Sequence, residues 1–243
     1  MQTNSRKSVQ RTAIGIAAVL ALLVFPAFYV RSAPDETAGN LDSVLRHMEE
    51  SAGNFQSFTA DITKKTYTAV LEEFDTPERG KFYYKRAADG SALIREEITD
   101  PAEKITTIKG DEALIYQPKT KSASSYTLGK HKDKAEYVAL GIGQSPTDLR
   151  KTFNISYRGS ETVNGALCSV LELKPKDPAV ASIFSSITVW IDDATGVSKQ
   201  MKMEEPFEDY VLVTFSNEKL NKKIDNSKFE QKLAQDVTVT RIN

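Results

Sequence analysis

Short runs in which every second residue is apolar recur along this chain from residue 58 onward. In the first run Phe58, Ala60 and Ile62 alternate with polar neighbours, so a strand there has one apolar and one polar face. About ten or eleven such runs follow one another, with turn residues such as Asn164 and Gly165 between them. Because the separations are too short for crossover helices, the pattern predicts a mainly β fold with one large antiparallel sheet, curled or closed.

One predicted strand carries a cation on its apolar face. In residues 80–86 (GKFYYKR), a period of two places Phe82, Tyr84 and Arg86 on the same side. A buried cation without a partner is costly, so an inward Arg86 must pair with an acid or bond something that closes over it. The alternative is a surface arginine at the end of the strand.

Apolar residues recur at helical spacing in four segments, one before the alternating runs and three among them. Residues 41–53 have an amphipathic pattern that ends at Gly53, with an apolar stripe formed by Leu41, Val44, Leu45 and Met48. The other three are residues 131–143, a short helix capped by Ser145, and a single turn within residues 177–186. We expect these short helices to lie beside the apolar face of the sheet.

The first 33 residues have the pattern of an export signal. Arg6, Lys7 and Arg11 precede 18 uncharged residues, 13–30, and positive charge stays on the cytoplasmic side. The apolar run is longer than a usual secretory signal and near the lower limit for a spanning helix. We therefore interpret 1–33 as a cleaved signal peptide or a retained inner-membrane anchor, 34–40 as a linker, and 41–243 as a periplasmic domain.

Charge and motifs exclude several classes of function. Residues 34–243 carry 28 basic and 33 acidic side chains, and a mildly acidic domain without a basic run is a poor nucleic-acid binder. The single cysteine, Cys168, lies in an apolar run and is expected to be a buried, inert thiol. The sequence contains no nucleophile elbow, zinc-protease motif or phosphate-binding glycine loop, so we expect no enzymatic activity, no cofactor and no metal.

Several segments together resemble the outer-membrane lipoprotein carrier family of the LolA type. They are GKFYYKR (80–86), the run ending in TDP (99–101), IKGDEALIYQP (108–118) and VNGALCSVLELKPK (163–176). Lys109 stands where the family's hairpin has an aspartate, and Ala87 where a proline follows the Lys-Arg pair. The resemblance extends from about Leu41 to the end of the chain.

The resemblance implies an incomplete, half-open antiparallel β-barrel whose apolar inner side is covered by a lid of short helices. Such carriers accept acylated lipoproteins from an inner-membrane transporter and pass them to an outer-membrane receptor. The family's inward arginine, which hydrogen-bonds the lid and keeps the empty cavity shut, corresponds to Arg86. Other envelope lipids are alternative cargo, and we expect a monomer.

Strand parity predicts which side chains line the cavity. The predicted lipid-binding residues, each of which could instead be ordinary core, are Phe58, Ile62, Phe82, Tyr84, Ile94, Ile98, Met201 and Met203. The underside of the lid is assigned to Leu140, Ile142 and Leu149. The pattern does not decide whether Trp190 or its neighbours Val189 and Ile191 face the cavity.

Glu96 complicates the role assigned to Arg86, which we call the lid latch because it would hold the lid shut. It shares a face with Ile94 and Ile98, at a position where the family usually has an aromatic residue. We hypothesise that Glu96 pairs with Arg86 as a second part of the lid latch; alternatively, a β-bulge changes the strand's parity at this point.

Three functions fit these observations. The first is a carrier that delivers lipoproteins, and the second is a lipid or lipoprotein sensor or regulator on the same scaffold. The third is a structural or interaction module that holds no ligand. A retained N-terminal anchor would favour the second, because shuttling between membranes requires release.

Overall fold

The computed structural model describes residues 36–128 and 139–242, which belong to one compact unit, Pro34–Asn243. Within them the chain forms three α-helices: α1 (Glu36–Gly53), α2 (Pro146–Thr152) and α3 (Pro178–Ala181). It also forms thirteen strands: β1 (Ser57–Thr68), β2 (Glu73–Phe74), β3 (Glu78–Arg86), β4 (Ala92–Asp100), β5 (Lys104–Lys109), β6 (Glu112–Gln117), β7 (Ser122–Thr127), β8 (Phe153–Val163), β9 (Ala166–Pro175), β10 (Ser186–Asp192), β11 (Ser198–Glu204), β12 (Tyr210–Leu220) and β13 (Thr238–Ile242).

The strands form a single open sheet in the order β13-β7-β6-β5-β4-β3-β1-β12-β11-β10-β9-β8, with β2 paired to the end of β1. Every pairing is antiparallel except that of β13 with β7. The predicted half-open antiparallel barrel with short helices over one face is therefore confirmed. The strands missed from the sequence are β2, which has two residues, and β7 (SASSYT), which is too poor in apolar residues to show alternation.

The core lies on one face of this sheet, the inner face, and beneath the helices. In β1, β3 and β4 the apolar residues alternate as expected, and Phe58, Phe82 and Ile98 are almost completely buried. Helix α1 packs on the same cluster through Leu45 and Met48, as its amphipathic pattern predicts. The inner face is therefore continuous apolar surface covered by helices.

Helices α2 and α3 begin where the sequence predicts, whereas α1 begins at Glu36, within the stretch 34–40 that was predicted to be a linker. Ser145 caps α2 by accepting a hydrogen bond from the backbone N–H of Thr147, and Asp177 caps α3 in the same way. Of the helical segment predicted at 131–143, residues 131–138 lie outside the described residues. The described part is a turn, in which the N–H of Ile142 donates to the carbonyl of Ala139. No helix within the described ranges is long and apolar enough to cross a membrane, and the predicted export signal lies outside them.

The register of β10 decides the orientation of Trp190. Val189 pairs with Met201 and Leu171 and lies in the inner cluster, whereas Trp190 points to the outer face. Its indole N–H donates to Glu161 (2.8 Å), and its ring packs with Cys168. Cys168 is fully buried there, and burial raises the pKa of its thiol to about 11, as expected for an inert cysteine.

A third apolar cluster fixes the C-terminal segment to the outer face of β4. Phe229 packs against Leu93 there. Glu97 accepts hydrogen bonds from Arg95 Nε (2.6 Å) and from Lys228 Nζ (2.8 Å). The Lys228–Glu97 ion pair joins β4 to a residue that follows β12, so it holds this segment in place, whereas Arg95 and Glu97 both belong to β4.

We predict that this attachment depends on pH through Glu97. Partial burial alone would raise the pKa of Glu97, but hydrogen bonds from Lys228 and Arg95 outweigh it and hold that pKa below its usual value. A carboxylate of this kind stabilises the fold above its ordinary pKa of about 4.3, and the stabilisation is lost as pH falls through the lower folded value. Urea unfolding of wild type and Glu97→Gln should differ by about 1–2 kcal/mol near neutral pH and converge in acid. A difference that is independent of pH would contradict this account.

Candidate functional site

Arg86 lies at the end of β3 and bonds the segment that covers the inner face. Its Nη2 donates to the carbonyl oxygen of Gly143 at 2.5 Å, and its Cζ lies 5.7 Å from the centroid of the Phe55 ring. The predicted inward direction is thus supported by a backbone partner. The side chain is exposed rather than buried, because β3 ends there, so Arg86 combines a position at the end of a strand with a bond to the covering segment.

Gly143 is the acceptor because its backbone lies directly on an aromatic ring. Its φ is +66°, in the left-handed region, and a Cβ there would lie 2.3 Å from Cγ of Phe55. The Phe55 ring in turn packs against Tyr84, with 5.0 Å between centroids. Only glycine lets the chain approach this closely, and the approach brings its carbonyl within reach of Arg86.

A cavity of about 780 Å³ opens beside this bond, between α1, α2 and the ends of β3 and β4. Its apolar walls include Tyr84, Leu140, Leu149 and Phe153, and Arg86 forms part of its rim. The polar part of the lining contains Glu49, Gln144, Ser145, Asp148 and Lys151. A lining that combines apolar side chains with polar and charged ones suits an amphiphilic ligand.

The residues predicted to line a cavity all lie on the inner face in one cluster. Seven are buried and Met203 is half-buried: Phe58, Ile62, Phe82, Tyr84, Ile94, Ile98, Met201 and Met203. The predicted lid residues Leu140, Ile142 and Leu149 are buried in the same cluster. Of these eleven, Tyr84, Leu140 and Leu149 line the open cavity, and the others belong to the packed apolar cluster.

Sequence reasoning missed three residues of this site. Phe215 on β12 forms an aromatic group with Phe58 and Phe82, with centroid distances of 5.5 and 5.4 Å. Phe55 and Gly143 shape the seat of Arg86. The alternation in β12 could have placed Phe215 on the inner face. For Gly143 the sequence shows only a glycine in an apolar stretch, which does not indicate a contact with Arg86.

The hypothesised pairing of Glu96 with Arg86 is wrong. Glu96 does share the inner face with Ile94 and Ile98, because Phe82 lies directly across from it and the register is regular between Gly80 and Arg86. Its carboxylate accepts a hydrogen bond from Lys64 Nζ at 3.0 Å, whereas Arg86 bonds Gly143. Lys64 reaches Glu96 diagonally across β3, and no bulge reverses the parity at this point.

Lys64 and Glu96 belong to a four-residue ion-pair network at the other end of the inner face. Lys64 also lies 3.7 Å from Glu78, and Glu78 pairs with Lys104 at 2.5 Å. All four alternate in register with the apolar residues of β1, β3, β4 and β5. The apolar surface is thus bounded by Arg86 at one end and by this network at the other.

We predict that Lys64→Met destabilises the protein by about 1–3 kcal/mol, because it leaves the carboxylate of Glu96, 13% exposed, without its cation. The double variant Lys64→Met/Glu96→Leu should be close to wild type, since two apolar side chains fit the adjoining surface. Urea denaturation of the three proteins tests this. Lys81→Met, which breaks an exposed pair with Asp61, is the control and should change stability by about 1 kcal/mol or less. Equal losses in single and double variants would contradict the prediction.

Comparisons with known proteins agree with the architecture. The sequence model of the family described as outer membrane lipoprotein carrier protein LolA matches residues 48–232. A search of curated proteins found no match.

Solved structures show the same fold at low identity. An uncharacterized conserved protein from Thermus thermophilus is 12% identical, with a TM-score of 0.53 over 84% of this chain and 99% of that one. MucB is 13% identical, with a TM-score of 0.50 over 80% of this chain. The match spans 63% of the MucB chain. Since the family match covers well over half of the sequence, the chain belongs to the outer membrane lipoprotein carrier protein LolA family.

Proposed function

We propose that this protein is a periplasmic carrier that binds the acyl chains of lipoproteins and moves them from the inner to the outer membrane. The observation that carries the proposal is the bond from Arg86 to Gly143, which fastens a helical cover over a continuous apolar face. Family membership supports the same role. An inner-membrane transporter would load the protein, and an outer-membrane receptor would unload it.

The energies suit reversible carriage. Burying one acyl chain of 16 carbons yields about 12 kcal/mol at about 0.8 kcal/mol per methylene, so full burial of several chains would prevent release. A cover that must be displaced lowers the net affinity. In the absence of cargo, the cover places Leu140, Ile142 and Leu149 against the inner face, so the apolar surface is not left open to water.

Native mass spectrometry of protein purified from its own cell envelope tests this proposal. We expect wild type to carry little cargo and Arg86→Leu to retain an acylated protein. Absence of both lipid and lipoprotein from the two proteins would overturn the proposal. A transfer assay between inner-membrane and outer-membrane vesicles then separates delivery from sensing, because a sensor would bind acyl chains without passing them on.

A further inference from the structure

Besides the covered inner face, the molecule has an exposed apolar surface far from the cavity. We infer that this surface docks a cationic protein partner that carries an apolar cleft. The surface is formed by two adjacent loops at the end of β1 and between β11 and β12. We call it the aromatic tip; it consists of Tyr67, Val70, Leu71, Phe74, Phe207 and Tyr210.

The aromatic tip holds half of the large hydrophobic side chains that the described residues expose. Val70 is 86% exposed and Phe207 is 91% exposed, and Leu71 and Phe74 are also in solvent. The backbone N–H of Ala69 donates to the Asp209 carboxylate at 2.7 Å, which ties the two loops together. A contiguous apolar patch of this kind marks an interaction surface, whereas single exposed apolar residues do not.

Three aromatic side chains of the tip pack on one another and form an aromatic platform. The rings of Tyr67 and Tyr210 are stacked with centroids 4.9 Å apart, and Phe74 meets both of them edge-on. Lys202 Nζ lies 4.3 Å from the centroid of the Tyr210 ring, so the platform already accepts a cation. A depression of about 570 Å³ adjoins these residues and is lined also by Glu205, Pro206 and Glu208.

The charge of the two loops selects the partner. Residues 69–75 (AVLEEFD) and 203–209 (MEEPFED) together contain seven acidic side chains and no basic one. The adjoining Lys202 pairs with one of the seven, Glu204, so the surface remains strongly acidic. Anionic lipid headgroups would be repelled by this concentration of carboxylates, whereas a basic protein surface would be attracted. Phe74 and Phe207 between the acids are suited to enter an apolar cleft, since buried aromatic side chains dominate the energy of interfaces.

The position of the aromatic tip leaves the cavity free. Tyr67 lies ten residues along β1 from Ser57, which is opposite Lys85, the neighbour of Arg86. At about 3.3 Å per residue, the tip is about 33 Å from the latch along the strand. A partner bound to the tip would therefore not obstruct the movement of the lid.

Fluorescence anisotropy with a labelled peptide of alternating arginine and leucine tests the inference on the full chain. We expect wild type to bind it and to reject the matching glutamate–leucine peptide. Phe74→Ser/Phe207→Ser should bind the cationic peptide about tenfold more weakly. Glu205→Gln/Glu208→Gln should also bind more weakly, with the deficit shrinking as ionic strength rises from about 0.01 to 0.15 M.

Two control variants change exposed residues that lie outside the aromatic tip. Leu167→Ser removes an exposed apolar residue elsewhere, and Glu103→Gln removes an exposed acid from another loop; both should bind like wild type. The inference is overturned if wild type does not bind the cationic peptide, or if the tip variants bind it as well as the controls do. It is also overturned if phosphatidylglycerol vesicles bind wild type and Phe207→Ser abolishes that binding. The tip variants should carry as little acyl cargo as wild type does, and failure of the docking inference leaves the carrier proposal intact.

Discussion

Replacing Arg86 by leucine should leave the lid open and keep acyl cargo on the protein. The substitution removes both the charge-assisted bond to Gly143 and the cation–π contact with the Phe55 ring. Because the arginine is exposed, the bond contributes about 1–2 kcal/mol, which shifts the closed-to-open ratio by about 5- to 30-fold. Amide hydrogen exchange should accelerate by a similar factor in residues 139–152, and native mass spectrometry should detect retained acylated protein.

Lys81→Met is the matched control for this prediction. Lys81 is on the same strand as Arg86 but on the outer face. It pairs there with Asp61, and the lysine side chain is 60% exposed. Its loss should change neither exchange in the lid nor retention of cargo. If Arg86→Leu transferred cargo at the normal rate and its lid exchanged like that of wild type, Arg86 would be a surface arginine without a role in closure.

The inner face could be predicted from the sequence because alternation in a strand is a local property. Phe58, Phe82 and Ile94 each follow the period of their own run, and the register of neighbouring strands places them on one side. The cap of α2 could be predicted for the same reason, since Ser145 acts on a residue two positions away. The fold follows from such local signals repeated along the chain.

The family resemblance predicted that Arg86 bonds the lid, but alternation could not identify Gly143 as its acceptor. Nor could it identify Lys64 as the partner of Glu96, because both contacts join residues that are distant in sequence. Alternation tells which face a residue shares, but not how deep it lies, and Arg86 proves exposed because the strand ends. Glu96 finds Lys64 only because β1 lies beside β3 in the sheet. The acceptor for Arg86 is the backbone carbonyl of Gly143. Every residue has such a carbonyl, so the residue type does not reveal that this one accepts the bond.

Gly143→Ala should weaken the same latch from the acceptor side. A Cβ at this position would lie 2.3 Å from Cγ of Phe55, so the ring or the covering segment must move. The left-handed backbone adds about 1–2 kcal/mol of strain, and the clash adds about 1–3 kcal/mol. We expect lower thermal stability than in wild type, together with the fast lid exchange and the cargo retention predicted for Arg86→Leu.

Gly90→Ala separates the clash from the backbone strain. Gly90 has a φ of +83°, also left-handed, but a Cβ there would meet nothing within 4 Å. It should therefore lose stability through strain alone and keep a closed lid. Because Arg86→Leu and Gly143→Ala act on one bond, the double variant should exchange its lid scarcely faster than either single variant. Additive effects on lid exchange would mean that the glycine and the arginine hold the cover by independent contacts.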